Sequence, residues 1–243
     1  MTRLAEGDVA MRFESVSRTH VGLKRPINED NYLARPEVGL FAVADGMGGH
    51  EAGEVASARI VEALGLLKAI TPATIVETLE QVNADLVALA HEGEGKRTIG
   101  STVAGLLIEH GQATSFWAGD SRAYRLRGRD LQRLTRDHSL VQELLDAGMI
   151  DPERIDDHPN GNVITRAVGA AERLRVDCMQ ADAAPGDLFL LASDGVTRLM
   201  ADEEIAAALA DTPSLNEIAD GIVWTALRRG APDNLTLVLV RLA

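Results

Sequence analysis

The sequence predicts an α+β fold in which packed antiparallel sheets are flanked by helices. Short apolar runs joined by tight turns fill the middle and the end of the chain, and helical periodicity is concentrated in one early and one late block. The chain has 243 residues, of which 46% are apolar, and it contains no Pro/Ser-rich linker. We therefore expect a single domain, placed at residues 10–243.

A meander of antiparallel strands is predicted in the middle of the chain. Its runs are STVAGLLIEH, GQATSFWAGD and SRAYRLRGRDLQRL, with turns at His110–Gly111 and Gly128–Asp130. Connections this short join only antiparallel strands, because a parallel pair needs a longer crossover. Further runs follow in VITRAVG, LRVDCMQA, DLFLLAS and LTLVLVRL. Many of the runs are apolar throughout, which predicts sheets covered on both faces.

The helices are predicted from start and stop signals as well as from periodicity. The early block runs from about Gly53 to His91 and contains a start signal at Thr71 followed by Pro72. The late block, SLNEIADGIVWTALRRG, opens with Ser214 and Glu217 in the spacing of a capping box. A further short helix is predicted from HSLVQELLDAGM, between strands.

Composition and charge exclude several classes of function. The net charge is −13, so nucleic-acid backbones and anionic membrane surfaces repel the chain. Cys178 is the one cysteine, which excludes an internal disulfide and favours a reducing compartment. The sequence shows neither a signal-peptide pattern nor an apolar run long enough to span a membrane. We expect a cytoplasmic protein that binds no nucleic acid and does not insert into membranes.

Aspartates recur where apolar runs end. Three apolar runs end in an aspartate that is followed by a small residue. Other carboxylates lie just before the last apolar run and near the start of the chain. The positions are Asp45-Gly46, Asp120-Ser121, Asp194-Gly195, Asp233, Glu29 and Asp30. A single carboxylate at a strand end is usually a turn residue or a helix cap. Carboxylates gathered at one end of a sheet, however, repel one another unless a cation neutralises them, and oxygen ligands suit Mg²⁺ or Mn²⁺.

The glycine-rich stretch LFAVADGMGGHEAGE fits a metal loop better than other kinds of site. A glycine beside Asp45 lets the backbone come close enough for a carbonyl to become a ligand. GMGG lacks the Lys-Ser/Thr of a phosphate-binding loop, and HEAGE has Glu54 where a zinc protease needs its second histidine. An aspartyl-phosphate mechanism wants a second aspartate where this chain has Met47, and no GxSxG is present for serine catalysis.

These residues match a known family. The chain resembles the metal-dependent protein serine/threonine phosphatases of the PP2C type, in their compact bacterial form. The matching stretches cover roughly residues 18 to 241 in the family's order and are GLKRPINEDN, VADGMGGHEAGEVAS, GSTVAGLLI, WAGDSRAYRLR, LTRDHSLVQELLDAG, NVITRAVG, GDLFLLASDGVT and APDNLTLVLV. The resemblance implies a four-layer α/β/β/α sandwich with a metal cleft at one end.

The resemblance also implies which residues hold the metals. Asp45 corresponds to the aspartate that bridges two Mn²⁺ or Mg²⁺ ions, and the Gly46 carbonyl to a ligand of one of them. Asp194 and Asp233 correspond to the other ligands of the pair. Asp120 matches a residue that helps to hold a weaker third ion in the family. Water held between the two metals would attack phosphorus directly, without a covalent phospho-enzyme.

Further residues are implied to act on that water and on the substrate. Glu29 and Asp30 match carboxylates that bind metal-bound water, and Arg25 matches the arginine that grips the phosphate, for which a forked guanidinium is well suited. Eukaryotic members have a suggested general acid where this chain has Met47. His50 is the candidate for that role here, although a structural role in the loop and proton donation by metal-bound water are both open.

Several alternatives remain at the level of sequence. Residues 137–162 resemble a flap that borders the catalytic cleft, and the alternative is an ordinary surface insertion. Arg198 stands where the family often has an acidic or amide residue, and it could face solvent or alter the charge near the cleft. We expect a monomer that acts on phosphorylated proteins, among them a Ser/Thr kinase and its substrates. The other hypotheses are a catalytically weak binding scaffold and a hydrolase of small phosphoesters.

Overall fold

The computed structural model describes residues 12–48, 52–92, 98–151 and 158–243. The strands are β1 Phe13–His20, β2 Asp30–Arg35, β3 Leu40–Met47, β4 Gly100–Ser101, β5 Val103–Glu109, β6 Gln112–Ala118, β7 Arg122–Arg127, β8 Asp130–Arg133, β9 Asp177–Asp182, β10 Leu188–Ala192 and β11 Leu235–Leu242. The α-helices are α1 Ala52–Gly65, α2 Pro72–Glu92, α3 Leu140–Asp146, α4 Asp194–Thr197, α5 Asp202–Asp211 and α6 Leu215–Arg228.

Two antiparallel sheets form the centre of the molecule. The strand order is β1-β11-β10-β7-β8 in the first sheet and β2-β3-β5-β6-β9 in the second, with β4 paired to β3. In the first sheet, β11 lies between β1 and β10, and Phe13 pairs with Leu242. In the second sheet, the register places Asp30 directly opposite Asp45. The pairing of β2 with β3 thus brings two predicted site residues together.

The sheets are stacked, and helices cover their outer faces. Alternate residues of β3 show this arrangement, because successive side chains of a strand point to opposite faces. Leu40 and Ala42 pack in the cluster that contains the buried side chains of α1 and α2, whereas Phe41 and Val43 pack between the sheets. Helices α5 and α6 cover the first sheet in a third cluster. This layering confirms the predicted α+β fold and the α/β/β/α order.

Local predictions agree with the structure at several element ends. Hairpins join β5 to β6 at His110–Gly111 and β7 to β8 after Arg127. Thr71 caps α2 by accepting a hydrogen bond from the Thr74 amide, and Ser214 caps α6 in the same way from Glu217. The glutamate does not complete the box, since its carboxylate accepts from the Thr212 hydroxyl instead.

Two strand predictions need correction. The meander is not continuous, because β6 belongs to the second sheet and β7 to the first, so the chain changes sheets at residues 119–121. VITRAVG forms no regular strand among the described residues. Its only pairings are the isolated bridges of Ile164 with Ser139 and of Val168 with Ser101. Its backbone groups therefore join neighbouring loops to the sheets, which a run of apolar residues does not reveal.

Candidate active site

The predicted site residues meet at one end of the stacked sheets. Asp30 begins β2 and faces Asp45 near the end of β3, whereas Asp194 follows β10 as the first residue of α4. Asp120 lies on the crossover between the sheets, and Asp233 lies just before β11. A cleft of about 510 Å³ opens beside them and is lined by Arg25, Asp120, Asp194 and Asp233 together with residues of the expected flap.

Close backbone packing fixes Asp45. Its carbonyl accepts hydrogen bonds from the Thr102 amide at 2.8 Å and the Ser101 hydroxyl at 2.9 Å. The next residue, Gly46, lies against the start of α1. A Cβ at Gly46 would stand 2.2 Å from the carbonyl oxygen of Gly53, far inside van der Waals contact. Glycine at this position therefore allows α1 to approach β3 closely beside the carboxylate.

Asp30 is held by neutral groups from the other sheet. Its Oδ2 accepts a 2.8 Å hydrogen bond from the hydroxyl of Ser193, the residue before Asp194. That hydroxyl oxygen also accepts from the Thr236 amide at 3.0 Å, so one serine connects β10, β11 and β2. The other carboxylate oxygen of Asp30 is buried and has no hydrogen-bond partner. The side chain is only 8% exposed, so bulk water does not supply a partner readily.

The carboxylates strongly influence one another. Burial raises the pKa of Asp30 to about 7, although the hydrogen bond from Ser193 opposes the shift. Burial also raises the pKa of Asp45 well above its usual range, and the neighbouring aspartates, Asp30 foremost, raise it further. Burial likewise raises the pKa of Asp120 to about 7, with the charge of Asp194 adding to the shift. Such a cluster favours a compensating positive charge.

Two arginines already contact the cluster. The Arg25 guanidinium donates to Asp233 Oδ2 at 2.7 Å. Arg198 contacts Asp194 Oδ2 through Nε at 2.8 Å and Asp120 Oδ2 through Nη2 at 3.1 Å. Within the described ranges, no three histidine, cysteine, aspartate or glutamate side chains are already arranged around one ion. The two guanidinium groups together contact three of the carboxylates, those of Asp120, Asp194 and Asp233.

The loop that carries Arg25 and Glu29 is fixed by a side chain next to Asp233. Asn234 accepts a hydrogen bond from the Glu29 amide at 2.8 Å and donates to the carbonyls of Val21 and Ile27, each at 2.9 Å. The Glu29 carboxylate in turn accepts from the Gly53 amide at the start of α1. One buried amide therefore orders the loop from which the proposed phosphate ligand projects.

The expected flap lies across the cleft from these residues. Its helix α3 is capped by the hydroxyl of Ser139, and the amide of Leu140, the first residue of α3, donates to the carbonyl of Val163, just after the flap. Asp137 forms an ion pair of 2.7 Å with Arg122 in the cleft wall. His50, the candidate general acid, lies outside the described residues. Met47 is the last residue of β3 and pairs with Gly100.

The sequence profile described as Protein phosphatase 2C matches residues 24–235. The chain belongs to this family. A curated relative, the serine/threonine phosphatase stp of Listeria monocytogenes serovar 1/2a, is 34% identical over 235 residues, which cover 92% of this chain and 93% of the relative. This degree of similarity extends the relationship to nearly the whole length of both proteins.

Solved structures of the phosphatase family have the same architecture. PppA, a key regulatory component of T6SS in Pseudomonas aeruginosa, is 41% identical, with a TM-score of 0.87 over 96% of this chain and 98% of that one. The catalytic domain of the serine/threonine phosphatase PstP, solved in complex with two manganese ions, is 33% identical, with a TM-score of 0.86 over 96% of this chain and all of that one. The serine/threonine phosphatase Stp1 of Staphylococcus aureus has a TM-score of 0.90 at 28% identity and covers the whole of both chains.

The cleft fits the paired divalent ions of a PP2C phosphatase. Asp30 Oδ1 and Asp120 Oδ1 are buried without a partner, and an unsatisfied buried carboxylate oxygen is costly unless a cation or a donor meets it. The candidate ligands at this site offer carboxylate and carbonyl oxygens, which Mn²⁺ and Mg²⁺ prefer. The chemistry of the site therefore agrees with the metal expected from the sequence.

Sequence reasoning missed the neutral residues that hold the site together. These residues are Ser193, Thr236 and Asn234, and they connect segments that are far apart in the chain. Ser193 is more than 160 residues from its partner Asp30, and Asn234 is more than 200 residues from its partner Glu29. No spacing within one segment reports such contacts. The only local signals are adjacency to a site aspartate, since Ser193 precedes Asp194 and Asn234 follows Asp233.

Proposed function

We propose that this chain is a metal-dependent protein serine/threonine phosphatase whose paired Mn²⁺ or Mg²⁺ ions are held by Asp45, Asp194, Asp233 and the Gly46 carbonyl. The supporting observation is a cluster of buried carboxylates with raised pKa values and unpartnered oxygens, next to an arginine at the edge of a cleft. The single catalytic domain spans residues 10–243 and includes the flap at 137–162.

When bound, the divalent ions would supply positive charge to the phosphate oxygens and would lower the pKa of a nearby water, so that hydroxide is available as the nucleophile at neutral pH. The residues of the chain have separate tasks around that reaction. Arg25 is half-exposed at the cleft edge, and its fork can leave Asp233 to bind two phosphate oxygens of an incoming substrate. Glu29 and Asp30 would accept hydrogen bonds from water beside the ions, and Asp120 lies next to Asp194, with the Arg198 guanidinium between their carboxylates. His50 is the proposed donor of the proton that the leaving alkoxide takes up.

We also propose the setting in which this activity is used. The substrates are phosphorylated proteins, among them a Ser/Thr kinase and its targets, and the phosphatase acts as a cytoplasmic monomer. Among the described helices, none has the length and apolar character needed to cross a membrane. Because the chain is similar to PppA, a regulatory role in secretion is one setting proposed for this activity.

The test is release of phosphate from a phosphothreonine peptide with and without Mn²⁺. Wild type should need the metal, and Asp233→Asn should lower kcat/KM at least about 100-fold. The matched control is Asp220→Asn, since Asp220 also forms a 2.7 Å ion pair with an arginine, Arg18, but on the remote helix α6. Metal-loaded wild type that hydrolyses only small phosphoesters, or nothing, would contradict the proposal.

A further inference from the structure

Arg198 is placed to neutralise two carboxylates, one on the crossover between the sheets and one at the start of α4. It follows α4 immediately, and its amide donates to the Asp194 carbonyl at 2.9 Å, which fixes the start of the side chain. Its Nε lies 2.8 Å from Asp194 Oδ2 and its Nη2 lies 3.1 Å from Asp120 Oδ2. Because a guanidinium is planar and has donors on both sides of its fork, one group can bind both carboxylates.

The same guanidinium reaches the flap. Nη2 also donates to the carbonyl of Gly161 at 3.1 Å. Gly161 belongs to a turn, residues 158–163, in which the Gly161 amide donates to the His158 carbonyl and the Val163 amide to the Asn160 carbonyl. Residues of this turn line the cleft opposite the aspartates. Arg198 is therefore a direct link, in the described part of the chain, between the carboxylate cluster and the flap.

This arrangement leaves little room for a third divalent ion. One oxygen of the Asp120 carboxylate is bound to Arg198, and any ion at the other oxygen would lie within a few ångströms of a permanent positive charge. The side chain of Arg198 is two-thirds buried, so water screens that repulsion only in part. The guanidinium thus already supplies at Asp120 Oδ2 the positive charge that an ion would bring, and only Oδ1 is left without a partner.

We propose that Arg198 takes the place of a third cation, pairing with Asp120 and Asp194 and holding the flap turn through the Gly161 carbonyl. The phosphatase then binds two divalent ions and not three, and a residue of the chain, not a metal, sets the position of the flap. Arg198 is a positioning residue in this inference. The ion count rests on the proposed function, whereas the link to the flap does not.

The first experiment measures by equilibrium dialysis how many Mn²⁺ ions the 243-residue chain binds. Wild type should bind two, and Arg198→Ala should bind a third that Asp120→Asn removes again in the double variant. The matched control is Arg127→Ala, because Arg127 also joins two carboxylates, Asp182 and Asp187, at the far end of β7. This control should bind two ions, which excludes a general effect of removing an arginine from between aspartates.

The second experiment follows hydrogen exchange of the Gly161 and Val163 amides without metal. Arg198→Ala should speed their exchange on the order of tenfold, because the turn loses its tie to the cluster. Arg198→Lys should keep the two-ion count but not the slow exchange, since one ammonium cannot reach Asp120, Asp194 and the Gly161 carbonyl together. Arg127→Ala should leave both amides unchanged.

The outcomes separate this inference from the proposed function. Three ions in wild type, with the third dependent on Asp120, would overturn the inference and leave the phosphatase proposal standing. Two ions in Arg198→Ala with unchanged exchange in the turn would do the same. Wild type that binds no Mn²⁺ would refute the proposed function, and the role of Arg198 at the flap would then be decided by the exchange rates.

Discussion

Asn234 is predicted to contribute both to the stability of the fold and to the rate of catalysis, and replacing it with alanine should lower both. The substitution removes three hydrogen bonds, from the Glu29 amide and to the carbonyls of Val21 and Ile27. Each is worth about 1 kcal/mol net, and the three backbone groups are left without this partner. We therefore expect a loss of about 3 kcal/mol in the free energy of unfolding, or a Tm lower by roughly 6–12 °C for a domain of this size.

Loss of these bonds should also release the loop that presents Arg25. Misplacing a phosphate ligand by an ångström costs on the order of 100-fold in rate, so kcat/KM toward a phosphothreonine peptide should fall roughly 10- to 100-fold. Unfolding is monitored by calorimetry, and the rates are measured well below the lower Tm so that both chains are folded.

Asn83→Ala is the matched control. Asn83 is also buried, accepts a hydrogen bond from the Gly169 amide at 2.7 Å and donates to the Ala171 carbonyl at 3.0 Å, but it lies on α2 away from the aspartates. Its loss should lower Tm and leave kcat/KM within about twofold of wild type. Equal losses of kcat/KM in the two variants, or none in Asn234→Ala, would refute the assignment of Asn234 to loop positioning.

Three further predictions concern stability and the carboxylate cluster. Without metal, Asp30→Asn should raise Tm at pH 8 and have little effect near pH 4. The pKa of Asp30 is about 7 in the folded chain and 3.8 in the unfolded chain, so between these values the folded chain keeps a proton that the unfolded chain loses. Asp30 therefore lowers the free energy of unfolding progressively as pH rises from 3.8 to about 7, by at most about 4 kcal/mol. A calorimetric pH series checks the sign, and an equal gain at both pH values would contradict it. Gly46→Ala should destabilise the chain and abolish activity, because its Cβ would stand 2.2 Å from the Gly53 carbonyl oxygen, and preserved Tm and kcat would show that α1 can move away without consequence. Gly221→Ala, on an open face of α6, should raise the free energy of unfolding by about 0.5–1 kcal/mol in urea titration. A lower free energy of unfolding would mean that the added methyl group meets a neighbour.

The fold class was predictable because its signals are local. The central strands β3, β5, β6, β10 and β11 are largely buried on two faces, which gives mostly apolar runs, and the helices carry their own caps at Thr71 and Ser214. The sheet to which each strand belongs was not predictable. A strand such as β6, buried on both faces, fits either sheet, and the change of sheet that follows it at residues 119–121 depends on packing against distant strands.

Part of the site was likewise predictable and part was not. The aspartates were predictable because they follow apolar runs and because their order along the chain matches a known family. The sequence marks Arg198 as unusual for the family, but its contacts with Asp120 and Gly161 were not predictable, because these residues are 78 and 37 positions away in the chain. Contacts of this kind are decided by how the two sheets and the flap meet, and no periodicity records them.

The position of β11 has a consequence for biosynthesis. This strand is the last in sequence among those described, yet it lies inside the first sheet between β1 and β10, and Asp233 and Asn234 lead into it. A chain still emerging from the ribosome can pair β2 with β3, but it cannot close the first sheet until residues 235–242 are free. Asp30 and Asp45 can therefore meet early, whereas Asp233 joins them only after synthesis has passed it, so a nascent chain lacks the complete site needed for dephosphorylation. Such late pairing between distant segments also makes slow folding the expectation, since strands far apart in sequence must find each other.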